Sequence, residues 1–104
     1  KAAFHYAGVF YLLAKDVMRF KTLVETYYGT DLLPSLPVSF QEAVIILSEK
    51  DPDYWKRFGV SESIVGRFTD YKRQVLAGRN NSNALPGLMY RSYGDTYWYY
   101  YMFK

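Results

Sequence analysis

Cysteine is absent from the 104 residues, which excludes disulfides and thiolate metal sites. Either redox compartment remains compatible with that absence. Histidine occurs once, at His5. A catalytic imidazole needs an acid, nucleophile or metal beside it. On a helix His5 would neighbour Lys1, Gly8 and Val9, none of which serves, so it reads as a structural or surface side chain. No apolar stretch approaches the ~20 residues of a membrane span. The longest, residues 7–14, is short and contains Gly8 and Tyr11. Glycine-rich phosphate loops, H-E-x-x-H and G-x-S-x-G are missing too, so no enzyme is expected. No signal peptide is visible. Lys1 stands where an initiator Met would, so the chain reads as the C-terminal part of a longer protein.

Charge of either sign is scarce in blocks. Thirteen basic and 10 acidic residues give a net charge of +3. Acids interleave with the bases along the chain, unlike the one-sided basic face of a nucleic-acid binder, and nucleic acid is not an expected partner. Glu49, Asp51 and Asp53 alternate as in a calcium loop. Pro52 and the lack of the motif's Gly and distal Glu reduce them to a solvated helix end. No metal or cofactor is expected. Asn80-Asn81-Ser82 matches a glycosylation acceptor but reads as a polar loop.

What the chain has is aromatics, 20% of its residues, 12 of them Tyr. Tyr carries a hydroxyl that needs a partner when buried, so it favours the boundary between core and water. Apolar residues recur at helical spacing throughout, and no alternation is long enough for a strand. Phe4, Ala7 and Tyr11, then Val17, Phe20, Leu23, Val24 and Tyr27, predict two helices within residues 3–28. Lys15-Asp16 supplies the turn between them and Asp16 the cap. Gly29 closes the second helix, and Pro34 and Pro37 bar its continuation.

Ser39 and Glu42 form a capping-box signature for a helix over 38–50, with Phe40, Ala43, Val44 and Leu47 facing inward. Asp51-Pro52 ends it, and a short turn over 53–58 closes at Gly59. Ser61 caps a fourth helix that places Ile64, Val65, Phe68, Tyr71, Val75 and Leu76 on the core side and stops at Gly78. Residues 79–93 read as a loop, and Asp95 as the cap of a last helix through Phe103. The fold class expected is all-α: antiparallel helical hairpins in one domain spanning residues 1–104, closed by a short aromatic capping helix.

The first hairpin resembles a tetratricopeptide repeat. Phe4, Ala7, Gly8 and Tyr11 fall on that pattern's first helix, and Val24, Tyr27 and Pro34 on its second. Phe20 stands where the repeat has a small side chain. Phe40, Ala43 and Leu47 continue the likeness, which covers about residues 3–78. Residues 13–16, 39–43 and 94–103 together also resemble the C-terminal soluble region of an uncharacterised Bacteroidetes family of multi-pass membrane proteins. That likeness implies a longer, membrane-anchored protein of the bacterial cell envelope, and no reaction.

The partner-binding candidates are Tyr6 and Tyr11 on the first helix, the dibasic pair Lys72-Arg73, and Tyr97, Trp98 and Tyr100 in the tail. A helix apolar on every side must be buried or lie at an interface. The tail is therefore the lid of a repeat array, a partner-binding or self-association surface, or an anchor at headgroup depth. The function expected is non-enzymatic: a helical-repeat module that binds a protein or peptide. The alternative is a purely structural cap of a longer array without its own ligand.

Overall fold

The computed structural model describes residues 2–104. Six α-helices carry the fold: α1 (Ala2–Leu13), α2 (Val17–Tyr27), α3 (Val38–Leu47), α4 (Glu62–Ala77), α5 (Leu85–Tyr93) and α6 (Tyr97–Phe103). Two 3-10 segments, Tyr54–Phe58 and Arg79–Asn81, join them. Among the described residues there is no strand, only an isolated bridge between Tyr28 and Leu33. The expected all-α class stands.

Local chemistry sets most boundaries. Lys15 turns the chain with φ 58°, and the Asp16 carboxylate accepts the Arg19 N–H at 3.1 Å, opening α2. Ser61 Oγ accepts the Ser63 N–H to open α4. Gly59 ends the first 3-10 segment at φ 63°, and a Cβ there would lie 2.8 Å from the Tyr28 hydroxyl.

Other boundaries differ from the sequence expectation. Pro37, not Ser39, occupies the N-cap of α3 and makes no side-chain cap bond. Ser39 lies inside the helix, and Glu42 reaches the Tyr97 N–H rather than back toward it, so the capping box does not form. Thr96, not Asp95, caps α6: its hydroxyl accepts the Tyr99 N–H and donates to the Tyr93 carbonyl. Asp95 turns outward to Arg67 instead. Residues 79–93 are largely helical. Leu85, Met89 and Tyr93 recur every fourth position and are buried, and Pro86 sits in the first turn of α5, where a missing N–H costs nothing.

Helix directions follow from contacts along each pair. Phe4 at the start of α1 meets Tyr27 at the end of α2 at 4.4 Å, so these two form an antiparallel hairpin. The expected second hairpin, α3 with α4, is not one. Gln41 reaches the Ser61 N–H near the start of both helices, and Glu49 meets Lys72 further along both. They run in the same sense, because the 3-10 segment Tyr54–Phe58 packs back along α3 and provides the return. The partner that reverses on α4 is α5: Leu85 lies against Gly78, and Arg67 reaches the Ser92 carbonyl.

The core centres on α3. Phe40, Ala43, Val44 and Ile45 are buried, with Phe20 edge-on to Phe40 at 5.1 Å. α1 approaches so closely that a Cβ on Gly8 would lie 2.3 Å from the Phe40 ring. α6 packs on α3 and α5. Its Trp98 is 2% exposed, and the indole N–H donates to the Glu42 carbonyl at 2.9 Å. Tyr71 of α4 donates its hydroxyl to the Trp98 carbonyl and stands 5.8 Å ring to ring from the indole. The tail thus does more than cover the open end of the last hairpin. It is the element on which α3, α4 and α5 converge.

Candidate interaction surface

α1 carries no charged residue between Ala2 and Ala14, and its two sides meet different fates. One side packs inward through Phe4, Ala7, Gly8 and Leu12. The other presents Tyr6 (76% exposed), Val9, Phe10 (66%) and Leu13 (58%) to water. Positions 6, 9, 10 and 13 follow the i, i+3, i+4, i+7 spacing of one helix stripe. Such a stripe is ordinarily the part of a helix that is covered.

At its C-terminal end the stripe runs into a cleft of about 240 Å³ between α1 and α6. Val9, Leu12, Leu13, Tyr97 and Tyr100 form its apolar walls, with Ser39 and Asp95 at the edge. Two tyrosine hydroxyls lock these walls together. Tyr97 donates to the Leu12 carbonyl and Tyr100 to the Leu13 carbonyl, each at 2.6 Å. Both acceptors are end carbonyls of α1; Leu12 also accepts the Lys15 N–H at 3.0 Å, and the tyrosine bonds complete the end of that helix. Burial pushes the Tyr97 hydroxyl up to about 12, so it stays protonated as a donor.

On the other side of α6 a second cleft, of about 320 Å³, is lined by Val17, Met18, Ile46, Leu47 and Tyr101, with Glu49 and Lys50 at its edge. Met18 and Tyr101 are exposed there. Two cations stand at these walls without a carboxylate partner among the described residues. Lys15 lies 5.6 Å over the Tyr100 ring beside the first, and Lys50 borders the second. The acids nearby are engaged already: Asp95 with Arg67 at 2.9 Å and Glu49 with Lys72 at 3.9 Å. The Arg67 hydrogen bond holds the Asp95 carboxyl below its ordinary range.

The seven sequence candidates do not converge on one spot. Tyr6 lies on the exposed stripe, and Tyr97 and Tyr100 line the first cleft. Trp98 is core, and a partner meets it only by opening the fold. Tyr11 is half-buried beside Thr22, Thr26 and Tyr27. Lys72 borders a third cleft, of about 330 Å³, floored by Ile45, Trp55, Val65 and Phe68, and Arg73 pairs with Asp70. Sequence reasoning missed Val9, Phe10, Leu13, Met18, Lys15 and Lys50. The signal was present at 6, 9, 10 and 13, but the inward pattern at 4, 7 and 11 occupied the same helix.

One buried acid serves a different partner from the one its sequence pattern assigns. Glu42 is 3% exposed and its carboxylate accepts the Tyr97 N–H at 2.9 Å, capping α6 from another helix. Burial raises its pKa, against the opposing effects of that hydrogen bond and of Arg67. No group of three or more His, Cys, Asp or Glu side chains among the described residues could hold a metal ion. His5 is exposed, with its ring 6.0 Å from Phe40. No described helix is long and apolar enough to cross a membrane.

A family described as "Family of unknown function (DUF6057)" matches residues 1–104. The chain belongs to this family. No curated protein and no solved structure matches it. Membership therefore covers the whole chain and brings no reaction with it.

Proposed function

We propose that this chain is a non-enzymatic helical module that binds an amphipathic helix of a protein partner through the outward stripe of α1 and the clefts beside α6. The observation that carries the reading is the exposed row Tyr6, Val9, Phe10 and Leu13 on a charge-free helix. A helix laid into an apolar groove engages anchors at this same spacing. What supports a repeat-like reading is the α1–α2 hairpin and its likeness in sequence; the parallel course of α3 and α4 adds no second repeat. Attachment to a membrane-anchored protein of the cell envelope rests on the family likeness in the sequence and belongs to this proposal alone.

The test uses a designed amphipathic helix of about five turns, leucines on one face and glutamines on the other. The chain binds it in titration calorimetry, and Phe10→Ser with Leu13→Ser abolishes binding while the helical circular dichroism stays native. Lack of binding by the unaltered chain would refute the reading. The purely structural alternative predicts that outcome.

A further inference from the structure

We infer that the partner helix is acidic: its apolar anchors enter the two clefts on either side of the Tyr100-Tyr101 ridge, and its carboxylates meet Lys15 and Lys50. The inference rests on the proposed helix-binding role and adds the partner's charge. It begins from an imbalance at the surface. Asp95, Glu49 and Lys50 line the two clefts, and Lys15 stands over the ring of Tyr100, a wall of the first; both acids have partners, Asp95 in Arg67 and Glu49 in Lys72. Both cations are uncommitted among the described residues.

Lys15 adds a second observation. It holds the turn between α1 and α2 at φ 58°, a region where Gly or Asn is less strained. Its ammonium lies over the ring of Tyr100, a wall residue of the first cleft. The cation–π contact orients an exposed ammonium beside the cleft, where an anion can reach it. Lys50 lines the second cleft, whose walls include Tyr101 and Met18.

The same geometry selects among occupants. A second copy of this chain would bring Lys15 and Lys50 against Lys15 and Lys50, a like-charge contact that opposes pairing. A bilayer surface offers charge but no discrete side chains to fill two separate clefts. An acidic amphipathic helix supplies both, with apolar anchors at three- or four-residue spacing and carboxylates on its flank.

The experiment compares three designed helices with identical leucine faces and Glu, Gln or Lys flanks, titrated onto the intact chain at low and high salt. Two added exposed ion pairs favour the Glu helix over the Gln helix by about fivefold at low salt, shrinking as salt rises. The Lys helix binds weakest. Lys15→Gln with Lys50→Gln removes the preference, and the charge-matched control Arg79→Gln with Arg91→Gln keeps it. Equal affinity for Glu and Gln helices would overturn the acidic partner and leave the helix-binding role standing. Failure of all three helices would remove both. Anionic phosphatidylglycerol vesicles that take up the chain and displace the Glu helix, or a dimer in sedimentation that excludes it, would also overturn the inference in favour of a lipid or a second copy.

Discussion

α1 and α6 are the two helices of this chain without a charged residue, and they are treated in opposite ways. α6 is seven residues long and its Tyr97, Trp98 and Tyr99 are buried. It is gripped from α1, α3, α4 and α5: by Leu12, Glu42, Tyr71 and, through the Tyr99 hydroxyl, the Pro86 carbonyl. α1 is 12 residues long, and only the side facing Phe40 and Tyr27 is covered. Hydrophobic composition alone therefore does not assign a helix to the core. Hydroxyl and indole groups that find acceptors fix α6 in place, whereas the outward face of α1 has apolar side chains and nothing to lie against.

After truncation of Trp98, the largest effect that sharpens this contrast falls on the covered side of α1. Gly8→Ala puts a methyl group into the Phe40 ring, which costs about 1–3 kcal/mol by forcing apart a packed pair of helices. Urea unfolding measures it. An unchanged midpoint would show that α1 is loosely attached on both sides, and the contrast would lose its meaning.

Next comes the support of α6 by Glu42. Glu42→Ala leaves the Tyr97 N–H without its acceptor in a buried site, a loss of about 1–3 kcal/mol. Glu42→Gln keeps an acceptor oxygen and removes the charge. Because burial raises the pKa of Glu42, the folded state holds its proton more tightly than the unfolded chain. Its contribution is fully present below the ordinary value of 4.5 and is lost as pH rises through the folded-state pKa. The native chain should therefore lose stability relative to Glu42→Gln as pH increases from 4.5 toward neutrality. The depressed carboxyls Glu25 and Asp95 lose their contribution as pH falls, but they are common to both proteins and cancel in the difference. A difference independent of pH would show that Glu42 is solvated and that α6 is less enclosed than described.

The smallest effect compares two hydroxyls. Tyr97→Phe removes the bond to the Leu12 carbonyl at the end of α1 and costs about 0.5–1.5 kcal/mol. Tyr6→Phe, on the exposed stripe, stays within about 0.5 kcal/mol of the parent. Differential scanning calorimetry of the pair reads the difference as a shift in Tm, and equal shifts would erase the distinction between the two helices.

Much of the fold was legible because its punctuation is local. The Lys15-Asp16 turn, the Ser61 cap, Gly59 and Gly78 each act through neighbouring residues, and the structure places them as expected. What was not legible depends on distant partners. Glu42 reads as half of a capping box, yet it turns away from Ser39 to hold a helix 55 residues later. α5 was hidden by the Asn-rich stretch before it and by Pro86-Gly87 in its first turn, although Leu85, Met89 and Tyr93 carry its period. Missing α5 also misassigned the hairpin partner of α4. The candidate surface was half legible: Tyr6, Tyr97 and Tyr100 fall on it, while Trp98 lies beneath it in the core.

The most direct test of the contrast is paired denaturant unfolding of Trp98→Ala and Phe10→Ala. Trp98 is enclosed by Phe68, Tyr71 and the Glu42 carbonyl, so its truncation costs about 3–5 kcal/mol. Phe10, 66% exposed, costs less than about 0.5 kcal/mol. Losses of similar size would contradict the account, because the outward face of α1 would then be part of the core rather than a surface awaiting a partner.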